Sequence, residues 1–164
     1  KLLDQSGLVI KQVRRFPRLL DQLAIVLKIP HFAPGVLNKY IVEDFDYEQA
    51  SVVDSIRGSF FFIRREALEK LGGLDEQFFV WFEEVDYCRR VYQAGGEVWY
   101  SPAASATDLV GQSFKLLSRG KAQEYFRDSQ LKYFRKWQTG WQVFILRIGW
   151  AVSNFLVWIF RKNK

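Results

Sequence analysis

The sequence has little of the residues on which several common kinds of site depend. Its 164 residues include one cysteine, Cys88, one histidine, His31, and no methionine. A single cysteine excludes an intrachain disulfide framework and a multi-cysteine zinc site. His31 has no second histidine or cysteine near it in the sequence, so we interpret it as a structural or surface residue. A reducing location that faces the cytosol is therefore expected.

The start of the chain does not have the pattern of a secretory signal. Residues 1–15 contain no continuous apolar core followed by small residues. The chain opens on Lys1 without an initiator methionine, and we therefore expect it to be a piece of a longer protein. Its length suffices for one domain with a core, and an apolar fraction of 49% is incompatible with global disorder.

Positive charge is concentrated in the C-terminal third. The formal net charge is +6, and the residues from Lys115 onward include eleven Lys or Arg but only two acids. A basic and aromatic tail behind an acidic centre predicts phosphate groups or an anionic membrane as neighbours. We expect no nucleic-acid partner, since these charges do not lie in a recognisable nucleic-acid-binding motif.

Three carboxylates are clustered where an aromatic segment meets a predicted helix. Residues 75–82 lead into Glu83, Glu84 and Asp86, and Gly95-Gly96 ends the helix. The N-terminus of a helix favours negative charge, so a solvated helix start is one interpretation. The other is a site for acid–base chemistry.

The segments around these carboxylates predict alternating strands and helices. The apolar residues 60–63 predict a strand buried on both faces, and Gly58 and Ser59 before it would let a ligand approach the backbone. Residues 64–71 predict a short helix with Leu68 inward, and residues 97–100 alternate as a strand.

The flanking segments are predicted to be helical on both sides of the centre. Leucines at helical spacing precede Pro30, and a loop follows over residues 31–51. Within it, the spacing Asp44-x-Asp46 suits a shared divalent cation, but its acidic, turn-rich surroundings favour a surface loop. Residues 122–137 predict another helix.

The last segment, residues 141–160, is apolar and near the length that spans a bilayer. Arg147 and Asn154 make a clean span costly. We therefore interpret it as an interfacial helix, with packing against the protein or a true span as the alternatives.

Five short motifs in fixed order resemble family 2 glycosyltransferases of the GT-A fold. The closest subgroup resembles the bacterial rhamnosyltransferase-like enzymes of cell-surface polysaccharide assembly. The motifs are GSFFFIRREAL, GGLDEQFF, FEEVDYCRR, AGGEVWYSP and GQS, between Gly58 and Ser113. Similar segments flank them, and the resemblance extends to about Gly140.

The resemblance implies an inverting transfer of a sugar from a nucleotide-diphospho-sugar donor to an acceptor hydroxyl. Glu84 occupies the position of the family's catalytic base, where aspartate is usual. Glu83 and Asp86 correspond to flanking acids that orient the acceptor or the helix.

The resemblance also implies where substrates and a metal would bind. A divalent cation, Mg²⁺ or Mn²⁺, would neutralise the diphosphate, with Asp108 where the subgroup generally has a histidine. The remaining candidates for substrate binding are Gly58, Ser59, Trp81, Gln112, Ser113 and Arg119. Trp81 could stack on a sugar ring or pack in the core, and Arg119 could meet the diphosphate or lie on a solvated face.

The expected fold is α/β, the C-terminal half of a GT-A fold with a mixed sheet and flanking helices. Residues 1–114 would form the acceptor and catalytic-base half, without the N-terminal nucleotide-binding half, and residues 115–164 a basic, amphipathic or membrane-associated helical region. The isolated chain is expected to be inactive. The acceptor would be a glycan or a lipid-linked glycan, and the location cytoplasmic and peripheral at the inner face of the cell membrane. The alternative function is a non-catalytic, membrane-peripheral or partner-binding module that retains the fold.

Overall fold

The computed structural model describes residues 1–109, 111 and 117–162, and these residues form a mixed α/β arrangement. The described helices are α1 (Leu19–Val26), α2 (Asn38–Ile41), α3 (Arg65–Leu71), α4 (Glu83–Gln93), α5 (Arg119–Trp137) and α6 (Gly140–Lys162). The described strands are β1 (Leu2–Leu3), β2 (Val13–Arg14), β3 (Ser51–Val52), β4 (Ser55–Ile56), β5 (Trp99–Tyr100) and β6 (Ala106–Thr107). The expected α/β class is confirmed at this level.

The described strands are short and form three two-stranded sheets. Strands β1 and β6 pair in parallel, and Leu2 lies opposite Ala106. Strands β2 and β4 pair antiparallel, as do β3 and β5. These sheets bring the start of the chain next to the segments on either side of α4, so that distant parts of the sequence frame this helix.

The prediction of a buried strand over residues 60–63 is wrong. Residues Gly58–Phe60 form a 3₁₀ turn, and Phe61 has extended dihedral angles without a strand partner among the described residues. Phe62 is 81% exposed. An apolar run predicts burial, but a strand also needs a neighbouring backbone to bond with, and the described residues provide none here. Leu68 on α3 is likewise 46% exposed rather than inward.

The helix predictions around the carboxylates and in the C-terminal third are confirmed. Helix α4 begins at Glu83, and Val85 and Cys88 on it are buried. The predicted helix of residues 122–137 corresponds to α5, and residues 141–160 lie within α6. These are the segments in which apolar side chains recur at helical spacing, which makes periodicity a reliable signal.

Helix α4 lies between two hydrophobic clusters and contributes to both. The first cluster joins α4 to α5 and α6, and its buried members are Phe78, Phe82, Val85, Tyr133, Phe134, Val143 and Leu146. The second packs the other side of α4 against the strands, and its buried members are Val13, Tyr47, Val53, Cys88, Val98 and Tyr100. The start of α4 is therefore fixed from two directions.

A buried carboxylate binds α4 to the end of α5. Asp86 is fully buried, and its oxygens accept hydrogen bonds from Arg90 Nε at 3.1 Å, Lys136 Nζ at 2.9 Å and Trp137 Nε1 at 2.7 Å. Lys136 also bonds Asp75 at 2.6 Å, and this hydrogen bond lowers the pKa of Asp75 to about 2. Since two cations and an indole N–H meet the Asp86 charge, its burial is compensated.

Replacing Asp86 with asparagine should destabilise the fold strongly. The change removes the negative charge and leaves Arg90 and Lys136 without their buried counterion, which lowers the free energy of unfolding by about 3 kcal/mol. Urea unfolding of the variant measures this loss. The matched control is Asp44→Asn at an exposed position, where we expect a change within about 0.5 kcal/mol. Equal stability of the two variants would contradict this role for Asp86.

Candidate active site

A strained turn leads directly into the clustered carboxylates. Trp81 and Phe82 both have left-handed backbone angles, with φ of 62° and 69°. Such a conformation is rare for bulky residues and costs on the order of 1–3 kcal/mol for each. Burial of Phe82 in the first cluster holds the turn, as does the hydrogen bond that Ser129 Oγ on α5 donates to the Val80 carbonyl at 2.7 Å. Strain that packing maintains at one point of a chain often marks a functional site.

Glu84 is a partly buried carboxylate with an unusual protonation behaviour. Its Oε2 atom is buried and has no hydrogen-bond partner among the described residues. Burial, reinforced by the neighbouring charge of Glu83, raises the pKa of Glu84 to about 7, although Arg57 acts in the opposite direction. A carboxyl group that titrates near neutrality can accept a proton and release it again at the pH of the cytosol.

Glu83 lies beside it in a similar environment. Its Oε2 atom is also buried without a partner among the described residues, and burial raises the pKa of Glu83. Two adjacent carboxylates that resist ionisation are unfavourable for stability, so they are typical of sites kept for chemistry or binding.

The 3₁₀ turn Gly58–Phe60 lies against Glu84. A Cβ atom placed on Gly58 would be 3.7 Å from Glu84 Cβ and 4.0 Å from its Cγ. These are ordinary van der Waals distances, so Gly58 lies next to the base of the Glu84 side chain with room for one further carbon. Sequence reasoning placed Gly58 and Glu84 in one site, and the structure brings them together. Ser59, next in the chain, is exposed.

Arg57 is a residue of the site that sequence reasoning missed. Its guanidinium lies 3.8 Å from the Asp108 carboxylate and is close enough to Glu84 to lower the pKa of that group. Asp108 follows strand β6, and its Oδ2 has no hydrogen-bond partner among the described residues. Arg57 directly precedes the Gly58-Ser59 pair, and this position next to two candidate residues is the feature of the sequence that could have identified it.

The described residues do not by themselves form a metal centre. No group of three or more His, Cys, Asp or Glu side chains that could hold a metal ion occurs in the described part of the chain. Asp108, the predicted ligand, faces the guanidinium of Arg57 instead of a second carboxylate. Its donor set therefore does not fit a metal ion without further ligands, and we derive no reaction step through one.

The remaining predicted site residues are divided among several environments. Trp81 is partly buried, and its ring packs edge-on against Phe126 at 5.7 Å. Asp86 faces Lys136 and Trp137, so its side chain does not reach the surface where a substrate would bind. Arg119 begins α5 and lies far along the chain from the carboxylates. Gln112 and Ser113 lie outside the described residues.

Two surface cavities meet at an arginine-rich edge formed by the N-terminal segment. Cavities of ≈ 510 and ≈ 600 Å³ share Arg15, Arg18 and Asp54 in their walls. Arg89 lines the first and is held over the rings of Phe16 and Trp137. Glu84 lines neither cavity, nor a third of ≈ 710 Å³ on the other side of α4.

Comparison with known proteins gives one partial similarity. The chain is 32% identical over 94 residues to "Rhamnosyltransferase WbbL" of Escherichia coli (strain K12), and the match covers 57% of this chain and 33% of that protein. The matched part is thus a third of the relative's length. No family model matches the chain. No solved structure matches it either. The similarity indicates a glycosyltransferase-like relationship over part of the chain.

The raised pKa of Glu84 predicts that the fold loses stability as pH rises. The carboxyl titrates at the ordinary value of 4.5 when unfolded and at about 7 when folded. The folded state therefore binds the additional proton between these values, and the stability that this gives is lost as pH rises through 7. The full effect is about 3 kcal/mol.

The Glu84→Gln variant tests this dependence. It should unfold at higher urea concentration than the wild type near pH 8 and show little advantage near pH 5, since glutamine does not ionise. The control is Glu76→Gln at an exposed position, which should follow the wild type at both pH values. A parallel shift of Glu84→Gln at both would show that the Glu84 carboxyl is not the titrating group.

Proposed function

We propose that the protein containing this chain is an inverting glycosyltransferase of the GT-A type and that Glu84 is its catalytic base. The observation that carries the proposal is the partly buried carboxylate of Glu84, whose Oε2 atom has no hydrogen-bond partner among the described residues and whose pKa is raised to about 7. It lies against Gly58 and near Arg57, in a chain that is partly similar to a rhamnosyltransferase. The group has the protonation range that acid–base catalysis at neutral pH requires.

The reaction is a single displacement at the anomeric carbon of the donor sugar. The acceptor hydroxyl gives its proton to the Glu84 carboxylate as its oxygen forms a bond to the anomeric carbon. The bond from that carbon to the diphosphate breaks, and the departing nucleoside diphosphate takes the electron pair. Base catalysis of this kind contributes roughly 10²- to 10⁴-fold to the rate.

Arg57 is placed to act on the charge of the reacting groups. Its guanidinium lies 3.8 Å from the Asp108 carboxylate and is close enough to Glu84 to lower the pKa of that group. A guanidinium binds phosphate oxygens through parallel N–H donors. We assign it to the diphosphate side of the donor, with Asp108 positioning it.

Asp86 has a positioning role in this proposal. It contacts neither substrate in any arrangement that keeps its bonds to Arg90, Lys136 and Trp137. Its effect is to fix the first turn of α4, from which Glu83 and Glu84 project. Glu83, partly buried beside the base, raises the pKa of Glu84 and could orient the acceptor hydroxyl.

The finer parts of the proposal come from the resemblance. They are a nucleoside-diphospho-sugar donor, with rhamnose the first candidate, a glycan or lipid-linked glycan acceptor, and a role in cell-surface polysaccharide synthesis. A divalent cation stays a prediction, with Asp108 as one of its ligands and the others outside the described residues. The donor half of the GT-A fold would be provided by sequence beyond this chain.

The second candidate is a module that retains the fold without catalysis. It is favoured by the pairing of Asp108 with Arg57, which occupies the predicted metal ligand. Such a protein would bind a partner or a membrane but leave nucleoside-diphospho-sugars intact.

Donor turnover distinguishes the two candidates. The protein at its full natural length is incubated with a panel of nucleoside-diphospho-sugars and an envelope glycolipid extract, and release of nucleoside diphosphate is followed. Glu84→Gln should lower kcat by roughly 10²-fold or more with little change in KM for the donor. Glu76→Gln should have wild-type activity. Turnover by Glu84→Gln at the wild-type rate would show that Glu84 is not the catalytic base. Absence of turnover in the wild type would favour the non-catalytic module.

A further inference from the structure

Helix α6 has two apolar faces, and the described residues of the protein cover only one of them. On the inner face Val143, Leu146 and Trp150 are buried with Ser153, against α1 and α5. The outer face is formed by seven exposed apolar side chains. They are Trp141, Phe144, Ile148, Val152, Phe155, Leu156 and Trp158.

The outer face forms a continuous stripe along the helix. Its members recur every three or four residues, the spacing that keeps side chains on one side of a helix. From Trp141 to Trp158 the stripe is about 26 Å long at 1.5 Å per residue. A stripe of this length with two tryptophans at its ends is unusual for a surface that faces water.

The inner face ties the helix to the body of the protein. Gly149 approaches α1 so closely that a Cβ atom there would lie 2.8 Å from Leu23 Cδ2. Trp150 Nε1 donates a buried hydrogen bond of 2.8 Å to Gln130 Oε1 on α5. Gln130 in turn donates to Gln22 Oε1 on α1 at 2.9 Å. These contacts hold the middle of α6 in a fixed orientation.

The packing of α6 on α1 and α5 distinguishes a helix that lies on a bilayer from one that crosses it. The window Gly140–Ile159 has a mean hydropathy of 1.5, and by length and composition it is long and apolar enough to span a membrane. A span would surround α6 with lipid on every side. It would break the Trp150 hydrogen bond to Gln130 and remove Val143 and Leu146 from the first cluster, leaving the other apolar side chains of that cluster uncovered. A helix in the plane of the interface keeps all of these contacts.

The charge around the stripe indicates the kind of surface it meets. The sequence has no Asp or Glu after Asp128, while three arginines (Arg135, Arg147 and Arg161) and four lysines follow it, and of these Lys136 is already paired with Asp75 and Asp86. Arg147 is exposed on α6 at the border of the stripe. Arginine there can extend towards lipid phosphates while its stem lies on the apolar surface. A second copy of the same face would instead bring cations together without counterions.

We propose that the outer face of α6 lies in the plane of an anionic lipid bilayer, with its apolar stripe among the acyl chains and its cations on the phosphates. The inner face stays packed on α1 and α5, so the protein is peripheral. The inference does not depend on the proposed catalysis, since none of the residues involved belongs to the candidate active site.

Vesicle flotation of the purified chain tests the proposal. The wild type should float with phosphatidylcholine vesicles that contain phosphatidylglycerol, and much less with phosphatidylcholine alone or in high salt. The double variant Phe144→Ser, Phe155→Ser removes two aromatic rings from the stripe and should bind at least roughly tenfold more weakly. Circular dichroism checks that it remains folded.

The matched control carries the same substitutions on a different surface. Phe62 and Phe79 are 81% and 75% exposed and lie outside α6, so the double variant Phe62→Ser, Phe79→Ser should bind vesicles like the wild type. Equal loss in both double variants would show nonspecific adhesion of exposed aromatics and overturn the proposal.

Two further measurements separate the competing occupants of the stripe. Alkaline carbonate should extract the membrane-bound protein, whereas retention in the pellet would indicate a transmembrane helix and overturn the in-plane arrangement. Size-exclusion chromatography without lipid should give the same elution for the wild type and the stripe variant. A dimer that only the stripe variant loses would assign the face to a second copy of the chain.

Discussion

The buried carboxylate of Asp86 is the interaction on which the rest of the structure depends. It joins the first turns of α4 to Lys136 and Trp137 at the end of α5. Through Arg90 the same connection reaches the α3 terminus, since the guanidinium also donates to the carbonyls of Leu71 and Gly73. Because a buried charge tolerates little displacement of its partners, these elements have one relative arrangement. That arrangement sets the direction in which the start of α4 points.

The three clustered acids consequently have three different environments. Asp86 is saturated with hydrogen bonds and stabilises the fold. Glu84 has a buried oxygen that bonds none of the described residues and a pKa of about 7, which is unfavourable for stability and favourable for proton transfer. Glu83 stands between these extremes, and its charge contributes to the shift of its neighbour. Neighbouring carboxylates whose environments differ in this way are typical of motifs in which one acid stabilises the fold and another is available for proton transfer.

The same body presents two candidate functional surfaces at different places. The candidate base lies near Arg57 and Asp108, and α6 carries its apolar stripe on the far side of its contact with α1 and α5. A transferase with a lipid-linked acceptor would need both a base and a means of staying at the bilayer. Rigid packing of α6 through Trp150 and Gln130 would then fix the height of the site above the lipid surface.

Sequence alone determined the longer helices and the position of the acidic motif, because helical periodicity and the charge preference of a helix N-terminus are local properties. It missed the short α2, which lies in the predicted loop of residues 31–51. It also named Gly58 and Glu84 as candidates for one site, but their proximity comes from the tertiary structure. Only the tertiary structure decided the features that depend on contacts between distant parts of the chain. Residues 60–63 are apolar enough for a buried strand, yet the described chain offers them no strand to pair with. The role of Asp86, the approach of Arg57 and the uncovered face of α6 depend on which side chains meet across long sequence separations. Burial raises the pKa of Glu84, and three hydrogen-bond donors surround Asp86 nearby. Both environments exist only once the chain has folded.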